Sequence, residues 1–442
     1  MILGTTLHNA SALPHGAVMR PEESQDIAIV GSGIAGLVAA HVLHPRHRIT
    51  VFEANDTVGG HTNTVEVADA RGTLGVDTGF IVYNEATYPH FTRLLAALGV
   101  ATQASEMSFG VRCDRSGLEY AGTNPNALFA QRRNLVNGAF LRMVADIVRF
   151  NRQARRYLHH PSGDDTMTDF LTALGVSRAF QDYYILPMAA AIWSADPAAI
   201  GEFPARTFLR FFDNHRLLQV SGQHTWRTIV GGSRRYVEAI TAPFGERIRL
   251  RSPIRGITRH ETHVDVQPVH GPVERFDQVI IAAHSDQALA MLRDASPEEQ
   301  AVLGAIAYQR NDAVLHTDEA LLPRSRRAWA SWNYRIPAAD TAGVTLTYDQ
   351  NRLQRLQADT RYLLSLNQQE PIDPARVLRE FTYHHPVFNG AALAAQARHG
   401  EISGRRRTHY CGAYWGYGFH EDGVNSALRV AEAFGMSPEW AR

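Results

Sequence analysis

The sequence predicts an α/β fold in which a parallel β-sheet is buried between helices. Three observations support this prediction. A short apolar segment near the start has the composition of a strand buried on both faces, and a glycine-rich turn joins it to an apolar helix. A second strand follows the helix, and similar segments recur in the second half of the chain. We therefore expect a sheet assembled from distant parts of the sequence.

The first strand is predicted at 26–30 and the following helix at 34–43, where Pro45 ends it. The turn between them has the pattern G-x-G-x-x-G. Glycines at these positions permit a tight turn, a close approach of the backbone to a pyrophosphate, and packing of the helix on the strand. The first N–H groups of the helix, at Ile34 and Ala35, are expected to face the phosphates. The three glycines are Gly31, Gly33 and Gly36.

The second strand is predicted at 48–52, and Glu53 and Ala54 follow it directly. A carboxylate at this position accepts hydrogen bonds from ribose hydroxyls and repels a 2′-phosphate. The pattern therefore predicts a Rossmann-type site for a dinucleotide other than NADP. It leaves open whether this is a nicotinamide that dissociates or a flavin that stays bound.

The composition of the 442-residue chain is that of a globular protein of two or three domains, with 45% hydrophobic and 20% charged residues. Cys113 and Cys411 match no zinc or redox spacing, and no metal site is predicted. The net charge of +0 gives no support to a nucleic-acid partner. No apolar run has the length of a membrane span or a secretion signal, so we expect a cytoplasmic protein.

Further strand-like segments at 247–269, 277–292 and 408–435 are expected to complete the sheet. The intervening parts are mostly helical or contain separate strands, which suggests two interleaved domains with a ligand site between them. The predicted division is an N-terminal extension at 1–25, a nucleotide-binding domain at 26–86, 220–300 and 391–442, and an α+β substrate domain at 87–219 and 301–390.

Several motifs occur in one order and carry a family resemblance. The glycine-rich start is followed by "VDTGF" at 76–80, "VGGSRRYVEAI" at 230–240, "VIIAAH" at 279–284 and a C-terminal glycine-rich loop with its helix. Together they resemble the flavin-containing amine oxidase superfamily, which includes phytoene desaturases and protoporphyrinogen oxidases. The segments "VDTGFIVYNEATYPHF" and "GYGFHEDG" are most similar to a bacterial branch of FAD-dependent oxidoreductases found with cyclopropane fatty acid synthases. The resemblance implies FAD as the cofactor.

The resemblance also implies further contacts to FAD. A glycine pair and the residue after it, which is commonly Arg in relatives and His here, lie against the pyrophosphate or the ribityl chain. Relatives place an acid after an Ala-Gly pair near the C-terminus, whereas this chain has Cys-Gly-Ala, so an acid further on takes that role and the next residues open a helix toward the flavin. The implied contacts are Gly59, Gly60, His61, Thr78, Gly79, Ile254, Glu421 or Asp422, Gly423, Val424 and Asn425.

Aromatic side chains are the candidates for the wall of a substrate site. Those of the C-terminal loop either line a cavity or pack in the core. A second group ends an apolar segment at 183–193, which is either the wall of an apolar pocket or a buried helix. The candidate residues are Phe419, Tyr417, Trp415 and Trp193.

The catalytic residues stay unassigned, with His420 and Tyr83 as candidates. His420 is either a proton carrier, because the ordinary pKa of histidine lies near neutrality, or a hydrogen-bonded structural residue. Monoamine and polyamine oxidases resemble one another in using a lysine-held water near the flavin, and all 44 basic residues of this chain are arginine. The resulting hypothesis is hydride transfer to flavin N5 from a hydrophobic substrate, a fatty acyl chain in first place. A small amine or amino-acid oxidase, a flavin-binding protein without turnover, and an isomerase are the alternatives.

A basic amphipathic stretch at 132–158 carries apolar side chains among arginines. It either lies on an anionic bilayer, which would make the protein membrane-associated and give it access to a lipid, or forms an ordinary surface helix with solvated arginines.

Overall fold

The computed structural model describes residues 23–159, 165–194, 197–219, 221–338 and 344–442. The start of the chain follows the sequence prediction residue by residue: the first strand, the first helix and the second strand have the predicted bounds. Most of the predicted N-terminal extension lies outside the described residues.

The strands of the described residues form five sheets. In chain order they are β1 (Asp26–Val30), β2 (Arg48–Phe52), β3 (Thr64–Asp69), β4 (Gly72–Asp77), β5 (Tyr83–Asn84), β6 (Thr102–Ala104), β7 (Phe109–Cys113), β8 (Leu118–Ala121), β9 (Trp226–Ile229), β10 (Ile248–Arg249), β11 (Ile254–Arg259), β12 (Val264–Pro268), β13 (Glu274–Phe276), β14 (Gln278–Ile281), β15 (Tyr308–His316), β16 (Trp332–Ile336), β17 (Thr345–Asp349), β18 (Leu363–Leu366), β19 (Val377–Pro386) and β20 (Thr408–Tyr410).

The α-helices of the described residues surround these sheets. In chain order they are α1 (Ile34–Leu43), α2 (Pro89–Ala97), α3 (Pro125–Leu128), α4 (Gly138–His159), α5 (Met167–Leu174), α6 (Arg178–Phe180), α7 (Leu186–Trp193), α8 (Pro197–Gly201), α9 (Ala205–Asn214), α10 (Arg234–Thr241), α11 (Ser285–Met291), α12 (Pro297–Leu303), α13 (Gln350–Leu353), α14 (Gly390–Ala397), α15 (His399–Ile402) and α16 (His420–Ala433). In the described part of the chain, no helix has both the length and the apolar composition needed to cross a bilayer.

A five-stranded parallel sheet is the centre of the nucleotide-binding part, with the strand order β10-β2-β1-β14-β20. Strand β1 lies in the middle, and Ala28 pairs with Thr50 on one side and with Val279 on the other. Strands β1 and β14 are almost completely buried, as their apolar composition predicts. The predicted α/β fold is confirmed, and the sheet combines the start, the middle and the end of the chain.

Helix α1 is buried along nearly its whole length because the last helix, α16, packs against it. The contact is close: a Cβ atom at Gly423 would lie only 2.6 Å from the Cγ2 atom of Ile34. The absence of a side chain at Gly423 therefore allows the two helices to approach, and this approach brings the C-terminal loop next to the glycine-rich loop.

A seven-stranded mixed sheet lies in the other part of the molecule, with the order β19-β15-β18-β17-β16-β7-β8. All its strands fall in the segments predicted as the substrate domain, and all strands of the parallel sheet fall in the other segments. Helix α2 does not follow this division. It belongs by sequence to the predicted substrate domain, yet its apolar residues Phe91, Leu94 and Leu95 pack in the same core as α1 and α16.

A buried ion pair fastens the small β11-β12-β13 sheet to helix α12. The Arg259 side chain is fully buried, and its guanidinium donates to both Glu299 carboxylate oxygens at 2.6 and 2.8 Å. Tyr410 of strand β20 donates to the same carboxylate at 2.6 Å. Burial raises the pKa of Glu299, but the bonds from Arg259 and Tyr410 outweigh this effect and hold the pKa below its usual value.

Removal of one partner of this pair is expected to lower the free energy of unfolding. Glu299→Ala leaves the buried guanidinium with Asp294 as its remaining carboxylate and leaves the Tyr410 hydroxyl without its acceptor, so the free energy of unfolding should fall by about 2 kcal/mol or more. Glu401→Ala removes an exposed partner of Arg398 and is the matched control, which should change the free energy of unfolding far less because solvent screens this pair. Urea unfolding of both variants measures the difference, and equal losses would contradict a structural role for the buried pair.

Candidate flavin site

The glycine-rich loop packs tightly on one side and is open on the other. A Cβ atom at Gly36 would lie 2.0 Å from the Gly31 carbonyl oxygen, and one at Gly31 would lie 2.8 Å from the Ala282 carbonyl oxygen. Backbone therefore meets backbone at both positions. At Gly33, by contrast, no protein atom of another segment lies within 4 Å of a Cβ position. Helix α1 begins at the next residue, so this open space adjoins N–H groups that attract phosphate.

The predicted glycine pair forms the opposite wall. Gly59 and Gly60 have φ angles of +122° and +60°, which L side chains rarely adopt. The Gly59 N–H donates to the Ser32 carbonyl at 3.1 Å, and a Cβ atom at Gly60 would lie 3.1 Å from the Cα atom of Gly33. The two glycine segments thus approach one another with only backbone between them.

Glu53 lies directly behind the glycine-rich loop at the end of strand β2. Its carboxylate accepts from the Ser32 N–H at 3.0 Å and hydroxyl at 2.5 Å, and from the Asn55 N–H and side-chain amide at 2.9 and 2.8 Å. These bonds hold the buried acid at the predicted position, while Ala54 is exposed. Contact between Glu53 and a ribose stays a prediction.

His61 presents an unpartnered polar atom in a buried position. Its Nε2 atom is buried without a hydrogen-bond partner, and the backbone of His384 bonds to the imidazole. Rings from the mixed sheet and from the residue before α11 surround it, with centroid distances of 5.1 Å to Tyr383, 5.5 Å to His385 and 5.9 Å to His284. Burial, followed by the neighbouring His284, lowers the pKa of His61 to about 4. A neutral imidazole with a free nitrogen therefore lies where the two parts of the molecule meet.

Thr78 and Gly79 of the "VDTGF" motif lie beside this histidine. A Cβ atom at Gly79 would lie 2.0 Å from the His61 carbonyl oxygen, so no other residue fits there without a backbone shift. The Thr78 hydroxyl hydrogen bonds with the Tyr383 hydroxyl at 2.9 Å. The motif therefore joins the glycine pair to strand β19 of the mixed sheet.

Glu421 has a partner that the sequence analysis did not foresee. Its carboxylate accepts from the backbone N–H groups of His90 and Phe91 at 3.1 and 2.9 Å and so caps helix α2. Asn425 turns to the same helix, where its oxygen lies 2.8 Å from His90 Nδ1. Both residues attach α16 to α2, and contact between either of them and the cofactor stays a prediction.

Asp422 closes the C-terminal loop on itself. Its carboxylate accepts from the backbone N–H groups of Tyr417 and Phe419 at 3.1 and 3.0 Å. Burial raises the pKa of Asp422 to about 7 despite these bonds. The acid shapes the loop that precedes α16, and its acceptor atom faces the loop backbone rather than the glycine-rich loop.

His420 forms a buried polar contact beneath the loop. Its Nε2 atom lies 3.0 Å from the Thr62 hydroxyl and 3.2 Å from the Tyr236 hydroxyl, and its ring stacks on Phe80 at 3.6 Å. Burial, followed by His61, lowers the pKa of His420 to about 3. Because the ring stays neutral at ordinary pH, this geometry favours the structural role over that of a proton carrier.

Tyr83, the second catalytic candidate, lies apart from His420. Its ring is buried and packs edge-on against Phe91 at 5.3 Å and Tyr88 at 6.1 Å. Phe91 separates it from the His420 ring, so the structure places Tyr83 in the core and does not bring the two candidates together.

Three of the four predicted substrate residues meet around one ring. Phe211 of helix α9 lies 4.8 Å from Trp193, 5.5 Å from Tyr417 and 5.4 Å from Phe419, measured between ring centroids. The Trp193 Nε1 atom is buried without a partner. Sequence reasoning missed Phe211, although the run of phenylalanines in "FLRFF" at 208–212 is a signal for an aromatic core. We call Trp193, Phe211, Tyr417 and Phe419 the aromatic cluster.

Trp415 does not belong to the aromatic cluster, and its expected place in the substrate site stays a prediction that this packing does not favour. The loop turns between Trp415 and Tyr417, so the Trp415 ring packs against His399 at 4.5 Å and Tyr414 at 4.9 Å. This core lies on the other side of the parallel sheet and contains no residue of the aromatic cluster.

The remaining predicted contacts lie on the elements expected for them. Ile254 opens strand β11, half-buried against the core of the parallel sheet. Gly423 and Val424 lie in the first turn of α16, with Val424 fully buried against α1.

Two other features of the surface lie outside this site. A groove of about 880 Å³ lies beside strands β15 and β19 and is lined by charged residues such as Arg310, Asp312 and Glu380, which do not suit an apolar ligand. In the described residues, one group has metal-compatible spacing: His260, His263 and Asp265. Arg275 lies 3.8 Å from the same carboxylate, and its charge opposes a cation.

The family model for flavin containing amine oxidoreductases matches residues 34–326 of the chain. The chain belongs to this family. The predictions of the family and of FAD as the cofactor are confirmed, and the choice between nicotinamide and flavin is settled in favour of flavin.

The chain is similar to proteins and solved structures with different names. A putative flavin-containing monoamine oxidase, AofH, of Mycobacterium tuberculosis is 26% identical over 265 residues, which cover 58% of this chain and 57% of that protein. The chain thus matches little more than half the length of this relative. A putrescine oxidase structure is similar with a TM-score of 0.66 and 15% identity, covering 94% of this chain and 99% of that chain. A fatty acid isomerase from P. acnes that produces CLA is similar with a TM-score of 0.64 and 16% identity, covering 94% and 99%.

The residues of this site fit a flavin dinucleotide. The space at Gly33, the glycine pair opposite it and the N-terminus of α1 suit a pyrophosphate. The buried free Nε2 atom of His61 offers a contact that no protein group uses. The prediction that Glu421 or Asp422 replaces the missing acid of relatives is the part that this geometry does not support.

Two glycines of the same loop provide a matched test of the pyrophosphate site. Gly33→Ala places a methyl group in open space, so the free energy of unfolding of the apoprotein should stay within about 1 kcal/mol of the wild-type value. Because that space is the proposed phosphate site, FAD should bind at least tenfold more weakly. Gly36→Ala forces a methyl group into the Gly31 carbonyl, so this variant should be destabilised by several kcal/mol. Flavin fluorescence titration and urea unfolding measure both quantities, and full FAD affinity in Gly33→Ala would contradict the assignment.

The raised pKa of Asp422 predicts a pH dependence of stability. Its folded-state pKa of about 7 lies above the ordinary value of 3.8, so the protonated acid stabilises the fold below about pH 4, and this contribution is lost as the pH rises through 7. Asp422→Asn removes the titration and keeps an acceptor for the loop. Relative to wild type, the free energy of unfolding of the variant should rise by up to about 4 kcal/mol between pH 4 and pH 8. Urea unfolding with saturating FAD measures this difference. A constant difference across this range would show that Asp422 is ionised throughout.

Proposed function

We propose that this protein is an FAD-dependent oxidoreductase that oxidises or desaturates a fatty acyl chain. The observation that supports the substrate class is the aromatic cluster, which the loop preceding α16 joins to the flavin site. Phe419 lies next to His420, the first residue of α16, so the cluster begins where the predicted flavin contacts begin.

When bound, FAD supplies the acceptor for a hydride from an activated C–H bond. The protein positions the substrate and excludes water from the site. The glycine segments around Gly33 and Gly60 hold the pyrophosphate, and the rings of Phe80 and His420 form a stacked floor beneath the C-terminal loop. Tyr417 and Phe419, the partly exposed rings of the aromatic cluster, offer an apolar surface for a chain of methylene groups, which gain about 0.8 kcal/mol for each CH₂ removed from water.

The chemistry of the cluster argues for an apolar substrate over a charged one. Its rings are surrounded by further aromatic side chains, with Phe203 and Phe208 against Trp193 at 4.9 and 5.6 Å. The absence of lysine from the whole sequence also counts against the water arrangement implied by resemblance to monoamine and polyamine oxidases. The fatty acid isomerase with a similar fold supports the proposal, since that protein acts on a fatty acid.

A small amine oxidase is the second candidate. It is favoured by the names of AofH and of the putrescine oxidase, and by aromatic rings near the flavin site, which attract cations. Isomerisation of an acyl chain without net oxidation is a variant of the first proposal, and it would consume no electron acceptor.

The test is an anaerobic absorbance spectrum of the flavin-loaded protein, followed while fatty acids, cyclopropane fatty acids and then amines are added separately. Bleaching of the flavin band by an acyl substrate alone is the expected result. Bleaching by an amine alone would replace the proposal with the second candidate. Double-bond migration with no net bleaching would establish the isomerase, and no response to either class would support a flavin-binding protein without turnover.

Two variants of one loop locate the substrate. Phe419→Ala removes a ring of the aromatic cluster, so acyl-dependent flavin reduction should slow at least tenfold while FAD stays bound. Trp415→Phe alters a ring of the same loop in the separate core and should leave that rate nearly unchanged. Equal rates of flavin reduction in wild type and Phe419→Ala would show that the substrate does not bind at the aromatic cluster.

A further inference from the structure

The stretch at 132–158 is strongly basic in a chain whose net charge is +0. It contains seven arginines and a single acidic residue, Asp146. That acid is buried: it accepts from the Ser177 N–H at 2.9 Å and from Arg142 at 3.3 Å. The outward surface of this stretch therefore presents positive charge with no exposed carboxylate of its own. The arginines are Arg132, Arg133, Arg142, Arg149, Arg152, Arg155 and Arg156.

The same stretch contains half of the large hydrophobic side chains that are exposed in the described part of the protein. Among the described residues, eight large hydrophobic side chains are exposed, and four of them lie between 135 and 148. Val136 is the most exposed of all at 87%, and Val148 follows at 58%. Isolated exposed apolar residues are common, but a group of this kind marks an interaction surface. The four are Leu135, Val136, Leu141 and Val148.

Helix α4 places this apolar group and the arginines on one side. Leu141, Ala145 and Val148 follow one another along the exposed face, and Arg152 continues the row one turn later. The opposite face is buried through Phe140, Met143, Phe150 and Ala154. A short 3₁₀ helix, Arg132–Val136, precedes α4 and extends the exposed surface. We call the outward side of residues 132–152 the basic apolar face.

We propose that the basic apolar face binds the surface of an anionic lipid bilayer. Guanidinium groups pair with lipid phosphates, and valine and leucine side chains between them enter the boundary of the acyl region. This combination suits a bilayer better than a nucleic acid, which offers phosphates but no apolar layer for Val136 and Val148. The proposal does not depend on which substrate the flavin site takes.

The position of α4 connects this face to the flavin site. Its buried side packs on helix α9, and Phe150 lies in the same core as Phe208 and Phe211. The buried side of α4 and the aromatic cluster therefore belong to one continuous core. A protein that rests on a bilayer through α4 would hold the aromatic cluster near the source of a lipid substrate.

Co-sedimentation with vesicles tests the proposal on the flavin-loaded protein. Binding to vesicles of phosphatidylcholine with phosphatidylglycerol is expected, with at least tenfold weaker binding to phosphatidylcholine alone and loss of binding at high salt. The Val136→Asp, Val148→Asp double variant should bind at least tenfold more weakly. Val273→Asp with Leu378→Asp, which changes exposed apolar residues elsewhere, is the matched control and should bind like wild type.

Charge is tested separately through Arg149→Gln with Arg152→Gln, which should weaken binding by about 30-fold. Arg275→Gln with Arg310→Gln, two exposed arginines elsewhere, should leave it unchanged. The flavin spectrum of each variant verifies folding. Equal binding of both apolar variants, equal binding of both arginine variants, or no binding to anionic vesicles would overturn the proposal. Salt-dependent RNA binding without vesicle binding would assign the face to nucleic acid instead.

Discussion

The contact between the first and the last helix is the constraint on which the rest of the site depends. Gly423 allows α16 to approach Ile34 at the start of α1, and no larger residue fits that space. This contact brings the C-terminal loop, with Phe419 and Tyr417, beside the glycine-rich loop at the opposite end of the sequence. The same helix is fastened at other points: Ser426 accepts from the Gly412 N–H at 2.9 Å, and Glu421 caps α2. One helix therefore positions the flavin site, the loop and the aromatic cluster together.

The site has two sides of opposite character. On the side of the mixed sheet, His61 meets His385, whose Nδ1 atom lies 2.9 Å from the Asn311 side-chain amide. Burial is the first cause of the lowered pKa of both histidines, to about 4 and about 3, so this side is polar but uncharged at ordinary pH. On the side of α9 the aromatic cluster is apolar. Such a division suits a ligand with one polar end and a long apolar part.

Local sequence information predicted the elements whose partners lie nearby. The β1-α1-β2 unit was predicted to the residue, because its strand composition, glycines and Pro45 act within a few residues of one another. The hydrogen-bond partners of polar residues near the C-terminus were harder to predict. Glu421 was expected at the cofactor, but its partners are backbone N–H groups of residues about 330 positions earlier, and no local sequence pattern predicts these bonds.

The same limit explains the other differences. Strand β7 pairs with β16, more than 200 residues later in the chain, and its sequence alone carries a weak signal. Trp415 and Tyr417 are separated by one residue but point into different cores, since the turn at Gly416 and Gly418 reverses the loop. The aromatic cluster depends on Phe211 from a helix that sequence reasoning did not connect with the C-terminus. Tertiary packing, rather than local composition, decides these positions.

The most direct test of the central claim is a crystal structure of the protein with FAD bound. We expect the pyrophosphate in the open space at Gly33 and the N-terminus of α1, with His61 Nε2 in contact with the cofactor and the flavin ring at the start of α16 beside Phe419. A flavin ring on the far side of the parallel sheet, near Trp415, or a pyrophosphate away from Gly33 would contradict it.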